Sequence, residues 1–112
     1  MARFLYQTRE FDCPVQLSMN VLMGKWKVLV LWQLFLKNRR YGELKRLVPG
    51  ISHKVLSDTL KVLEEERFIF RHDFQENPPH VEYGLTDQGR DLEPILRALQ
   101  QWGMQYKAPH SP

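Results

Sequence analysis

Pro49-Gly50-Ile51-Ser52-His53-Lys54-Val55-Leu56-Ser57-Asp58-Thr59-Leu60-Lys61-Val62-Leu63 is the stretch on which the reading of the fold turns. Pro49 and Gly50 stop whatever precedes them, and the Ser52 hydroxyl can accept a bond from an orphan backbone N–H at a helix start. At about 100° per residue, His53, Lys54, Ser57, Asp58 and Lys61 fall within one arc of about 140°. Val55, Leu56, Thr59, Leu60, Val62 and Leu63 fill the opposite side. One face is expected to be buried, and the other to carry small donors, acceptors and positive charge near the helix start. A helix of that kind suits a DNA major groove entered N-terminus first. An ordinary amphipathic helix with a solvated face has the same pattern.

Working backwards, Tyr41-Gly42-Glu43-Leu44-Lys45-Arg46-Leu47-Val48 reads as a short helix burying Tyr41, Leu44, Leu47 and Val48. Two helices joined by a tight turn, the second with a polar face, form a helix-turn-helix. Arg39 and Arg40 sit at its start and, with Tyr41, are candidates for DNA backbone contact; either arginine could instead cap the preceding helix. That preceding helix, Lys25 to Lys37, is polar only at Gln33 between Val28 and Leu36, so it should be central. Asn38 is expected to close it in the left-handed conformation. Cys13-Pro14 opens an earlier helix, with proline at its first position and Cys13 at the N-cap. Val15, Met19, Leu22 and Met23 give that helix an apolar face, and Gly24 ends it. Residues 1–12 form an arm, irregular or briefly helical, too apolar at Phe4, Leu5, Tyr6 and Phe11 to hang free.

Working forwards, Glu64-Glu65-Glu66 closes the polar-faced helix with charge that the helix dipole disfavours and phosphates would repel. The runs from Phe68 to Phe74 and from Val81 to Leu85 are strand-like, with a turn-rich tip between them, so they are expected to pair as a wing. Asn77 and His80 at the tip are candidates for minor-groove or phosphate contact. Thr86 caps a last helix running to about Tyr106, with a kink or break expected near Arg90 to Leu92 because Pro94 interrupts it. Leu92, Ile95, Leu99, Trp102 and Tyr106 make an apolar stripe longer than so small a domain needs to cover, a candidate dimer contact whose alternative is simple packing on its own core. Residues 13–107 then form one winged helix-turn-helix domain, α+β and mainly α, and residues 108–112 a tail.

Composition agrees with this outline. The 112 residues, 43% apolar, suit one small domain with a thin stability margin. The net charge of +3 is unevenly spread. Residues 25–54 hold eight basic groups (Lys25, Lys27, Lys37, Arg39, Arg40, Lys45, Arg46, Lys54) against Glu43 alone. A polyanion would therefore meet the middle of the chain. No apolar run approaches the ~20 residues of a membrane span, and Met-Ala-Arg-Phe-Leu-Tyr-Gln lacks a signal-peptide core. The single cysteine allows no internal disulfide and points to a reducing, cytoplasmic setting. No phosphate loop, serine elbow or paired metal-ligand spacing is present, and His53, His72, His80 and His110 are scattered. Catalysis, cofactors and metals are therefore not expected.

Cys13-Pro14, Gly24-Lys25-Trp26, Arg39-Arg40-Tyr41-Gly42-Glu43-Leu44, Pro49-Gly50-Ile51-Ser52, Val81-Glu82-Tyr83-Gly84-Leu85-Thr86, Gly89-Arg90 and Trp102-Gly103 together resemble the HxlR-type bacterial regulators of transcription. These are MarR-related winged helix-turn-helix proteins, and the likeness spans residues 13–103. The resemblance implies a homodimer on a pseudo-palindromic double-stranded operator, with the second helix of the motif in the major groove. It also implies a cysteine before the first core helix that in several members senses thiols or electrophiles, against the plainer role for Cys13 of filling space. The family often has Gly-Pro where this chain has Lys37-Asn38, and Phe where it has Tyr41. The competing expectation is a winged-helix module for protein contact, which the basic middle segment disfavours.

Overall fold

The computed structural model describes residues 4–22 and 24–109. Met23 and His110 lie outside the described residues. Among the described residues ten elements follow in order: β1 (Phe4–Tyr6), β2 (Arg9–Phe11), α1 (Pro14–Val21), α2 (Lys25–Leu36), α3 (Tyr41–Leu47), α4 (His53–Glu65), β3 (Ile69–Asp73), β4 (Val81–Leu85), α5 (Asp87–Arg90) and α6 (Glu93–Gln105).

α2 runs through the centre, burying Val30, Leu31 and Leu34. Leu44 of α3, Leu56, Leu60 and Leu63 of α4, Ile69 and Leu85 of the wing, and Leu96 of α6 close around it. Apart from Val30 these are leucines and one isoleucine at helical or strand spacing, and cutting one of those side chains back to Ala would cost about 2–5 kcal/mol. Leu47, expected inside, is exposed on α3, because Val48 at the helix end takes the core position.

The turn between α3 and α4 depends on Gly50, whose φ of 81° places it in the left-handed region that glycine enters at no steric cost. Ser52 then caps α4, its Oγ accepting from the Val55 N–H at 3.1 Å. At the far end Arg67 takes the left-handed position at φ 64°. The Phe68 N–H reaches the Leu63 carbonyl at 2.9 Å and the Arg67 N–H that of Glu64 at 3.0 Å. Those paired bonds, with Phe68 and Leu63 both buried, end the helix and aim the chain into the wing.

The wing is an antiparallel pair in register Ile69↔Leu85, Arg71↔Tyr83 and Asp73↔Val81. Arg39 adds a single rung outside Tyr83, its N–H donating to the Tyr83 carbonyl at 3.0 Å and its carbonyl accepting from the Tyr83 N–H at 2.8 Å. The helix-turn-helix and the wing are thereby locked together. Beside this rung, a Cβ at Gly84 would stand 2.5 Å from both Asn38 Oδ1 and the Phe70 ring, so those side chains would have to shift to admit one.

Three expectations are corrected. The N-terminal arm is a β-hairpin rather than irregular or helical, with Tyr6 opposite Arg9 across a two-residue turn at Gln7-Thr8. It packs on α1 of its own chain, with Phe11 buried. Asn38 is not left-handed; α2 ends instead on extended Lys37, whose N–H bonds to the Gln33 carbonyl at 3.3 Å. Leu92 packs against the core rather than with the outward stripe. Pro94 does break the C-terminal helix as expected, dividing it into α5 and α6 with Thr86 capping the first.

The shape is open. The radius of gyration is 16.1 Å, against about 13 Å for a compact chain of this length. α6 accounts for part of this, because of its residues Leu96 alone is buried.

Candidate nucleic-acid interface

The expected reading face is assembled on α4. Ser52, His53, Lys54, Ser57, Asp58 and Lys61 are all exposed, and Leu56, Leu60 and Leu63 are buried behind them. Within the face, Lys54 Nζ pairs with Asp58 Oδ2 at 3.1 Å, one helical turn on. An exposed pair of this kind stabilises by only about 0.3–0.5 kcal/mol, so Lys54 can leave it for an anion at little cost. Lys61 has no side-chain partner among the described residues.

Tyr41 organises the start of the helix. Its hydroxyl lies 3.0 Å from His53 Nδ1, 3.2 Å from the His53 carbonyl oxygen and 3.3 Å from Ser57 Oγ. The phenol and imidazole rings are parallel, 7° apart in plane and 5.8 Å between centroids. With Nδ1 held by the phenol, Nε2 is the His53 atom left for a ligand. It donates or accepts according to which way the proton between Tyr41 and Nδ1 is shared. In the chain alone the Tyr41 hydroxyl tethers the reading face.

The basic segment divides into outward and inward groups. Arg39 turns back to α2, its Nε donating to the Gln33 carbonyl at 3.2 Å and its Nη2 to Gln33 Oε1 at 3.4 Å, which is the helix-capping alternative. Arg40 is exposed, and its backbone N–H donates to Glu43 Oε1 at 2.9 Å. That bond, aided by Lys37, Arg39 and Arg46 and opposed by slight burial, holds the Glu43 carboxyl below its ordinary value. Lys27 is withdrawn from any polyanion. Its ammonium lies 2.8 Å from Glu66 Oε1, 2.9 Å from the Val21 carbonyl and 3.5 Å from the Tyr6 hydroxyl. One cation thus offsets the acidic end of α4, caps α1 and pins the N-terminal hairpin.

The wing tip is braced by acids. Asn77 is exposed, but His80 is held between Glu82 Oε2 at 2.8 Å and Glu76 Oε1 at 3.5 Å, its ring stacked on Phe74 at 4.2 Å. Nε2 is thereby hydrogen-bonded to Glu82, while Nδ1 stands on the Glu76 side of the ring. Between α4 and the wing lies a cleft of about 310 Å³ lined by Tyr41, Ser57, Leu60, Lys61, Glu64, Arg71 and Tyr83. Arg71 was not a candidate from sequence. The available signal was an arginine in the first wing strand, five residues past the acidic helix end.

Ile95, Leu99, Trp102 and Tyr106 are exposed on and just beyond α6, with the Trp102 and Tyr106 rings stacked at 5.0 Å. Val15 and Met19 of α1 face the same open, apolar cleft of about 650 Å³ as Ile95 and Leu99. Cys13 is exposed at the α1 N-cap. Among the described residues no group of acidic, histidine or cysteine side chains is arranged to hold a metal, and no helix is long and apolar enough to cross a membrane.

The family model of the HxlR-like helix-turn-helix matches residues 21–111. The chain belongs to the HxlR-like helix-turn-helix family. Among relatives of this HxlR-like protein is the HTH-type transcriptional regulator YdzF of Bacillus subtilis, 41% identical over 103 residues that cover 91% of this chain and 94% of YdzF. A MarR-family regulator from Porphyromonas gingivalis W83 superposes with a TM-score of 0.81 at 40% identity, covering 91% of this chain and all of that one. The redox regulator HypR in its oxidised form superposes at 0.80 and 34% identity, covering 86% and 99%. With the winged helix and the exposed α4 face, these make the HxlR-like chain a DNA-binding transcriptional regulator rather than a module for protein contact.

Proposed function

We propose that this HxlR-like chain acts as a homodimer that reads a pseudo-palindromic double-stranded operator, with the N-terminal half of α4 in each of two successive major grooves. The observation that carries the reading is the α4 face. Six polar residues are solvent-exposed on one side of a helix that is capped, clamped by Tyr41 and backed by three buried leucines. Ser52, His53, Lys54, Ser57, Asp58 and Lys61 are the base and groove-wall contacts, and Arg40 at the start of α3 is a backbone contact. Asp58, which phosphate repels, accepts from a cytosine amine or orients Lys54. The role is binding rather than catalysis, in the cytoplasm of a bacterium.

The dimer reading is supported by the exposed Leu99 and Trp102, 51% and 66% accessible in the single chain, and by the apolar cleft beside them. Ile95 and Tyr106 extend the same surface. Cys13, exposed and alone, is the candidate thiol switch. With one cysteine per chain, oxidation leads to a bridge between subunits or to a mixed disulfide with a small thiol. Selecting bound duplexes from a random pool, then titrating salt on a selected and an unselected duplex, tests the reading. Phosphate contact imposes a steep salt dependence on both, and base reading separates their affinities. A chain that enriches no sequence and whose weak binding ignores salt would refute it.

A further inference from the structure

Charge is divided along the length of the wing. Beyond Arg71 the hairpin carries Asp73, Glu76 and Glu82, and the chain has no further lysine or arginine until Arg90. His80 does not relieve this, since its two nitrogens already meet Glu76 and Glu82. His72 stands edge-on to the Phe74 ring at 4.4 Å. A phosphodiester brought to the tip would meet three carboxylates with no lysine or arginine beside them. Phosphate contact by the tip is therefore electrostatically disfavoured.

The root of the wing is the reverse. Arg71 is exposed, paired across the ladder with Tyr83, and no partner holds its guanidinium among the described residues. It lines the same cleft as Lys61 and Ser57, so one wall of that cleft is the flank of α4 and the other is the wing. A helix with its side chains is about 10–12 Å across, and the major groove is about 12 Å wide. A helix seated there has the phosphates of the groove wall directly against its flank. On the wing side, that flank opens into the cleft. Glu64 also lines it, but about 4.5 Å further along the helix axis than Lys61, which confines an anion to the level of Ser57 and Lys61.

We propose that Arg71, with Lys61 across the cleft, clamps the sugar-phosphate strand that runs beside α4, and that the wing tip stays off the DNA. The clamp rests on the DNA-binding reading. It adds a contact that carries no sequence information and fixes how deeply α4 sits.

The test compares wild type, Arg71→Ala, Arg71→Lys and His80→Gln on one duplex selected by the wild type and on one random duplex, across 50–200 mM salt. Each phosphate contact contributes about 0.9 to the slope of log affinity against log salt. Two Arg71 residues per dimer thus contribute about 1.8, which makes the fall in affinity over that range about 12-fold shallower in Arg71→Ala. The loss should be equal on both duplexes, Arg71→Lys should restore most of the slope, and His80→Gln should leave it unchanged. An unchanged slope in Arg71→Ala overturns the clamp while the wild type's steep slope keeps the DNA reading. A slope lost in His80→Gln instead returns the contact to the tip and overturns the clamp as well. A wild type that binds neither duplex overturns both.

Discussion

Replacing Tyr41 by Phe removes one oxygen from the centre of the reading face and leaves the packing in place. The phenol meets His53 Nδ1 at 3.0 Å, the His53 carbonyl at 3.2 Å and Ser57 Oγ at 3.3 Å. The ring stacks parallel to the imidazole through its carbons, which phenylalanine keeps. A net hydrogen bond stabilises by about 0.5–1.5 kcal/mol. Since His53 and Ser57 are exposed, the loss for the cluster should be near the value of a single bond, about 1 kcal/mol, or a fall in Tm of about 4 °C. On DNA, the freed His53 of each subunit must be immobilised again at a cost of about 0.5–1.5 kcal/mol, about 2 kcal/mol for the dimer, which weakens the selected duplex about 30-fold. Random duplex should bind as before and the salt slope should not change, because no charge has moved. Fluorescence anisotropy on the two duplexes, with thermal unfolding alongside, gives all three quantities. An equal loss on both duplexes, or no loss on the selected one despite the lower Tm, would refute the tethering role.

Leu99→Glu should give folded monomers by sedimentation and weaken operator binding, because the side chain is half-exposed in the single chain and its charge would be buried only in a dimer; a dimer that persists would show that the stripe is not the contact. Glu43→Ala should destabilise at neutral pH, with the difference closing in acid. The carboxyl is held below its ordinary 4.5, so its stabilisation is present above that value and lost as pH falls through the lowered one. A gap that persists at pH 2–3 would remove the ionised cap as its cause. Gly84→Ala should cost about 1–3 kcal/mol, since the added carbon meets Asn38 and Phe70; urea unfolding reads this directly, and an unchanged midpoint would mean that the Phe70 ring swings clear. Diamide should alter the DNA affinity of the wild type and not that of Cys13→Ser, and identical responses would refute the switch.

What was legible in the sequence was carried by local signals. Pro49-Gly50 with Ser52 fixed the start of α4, its period of three to four fixed the buried face, and Pro94 announced the break between α5 and α6. The elements that escaped lack such signals. β1 and β2 are three residues each, joined by Gln7-Thr8 with Gln7 at φ 57°, where hairpin turns usually advertise Gly or Asn. Lys27 looked like one more cation of the basic segment. Its partner Glu66 is 39 residues away, and only tertiary structure brings the pair together. His80 looked like a donor at an open tip until the hairpin register set it beside Glu82, two residues on along the same face. Arg71 was passed over because a charged residue in a short strand reads as solvated, and the cleft that gives it a role is formed with α4.

Hydroxyl-radical footprinting of a selected duplex tests the central claim most directly. Two α4 helices in successive major grooves predict two protected tracts related by a dyad, one helical turn or a whole multiple apart, about 34–36 Å per turn. Protection should extend to the groove-wall phosphates beside each half-site. A single tract without symmetry, or half-sites on opposite faces of the duplex, would contradict the account.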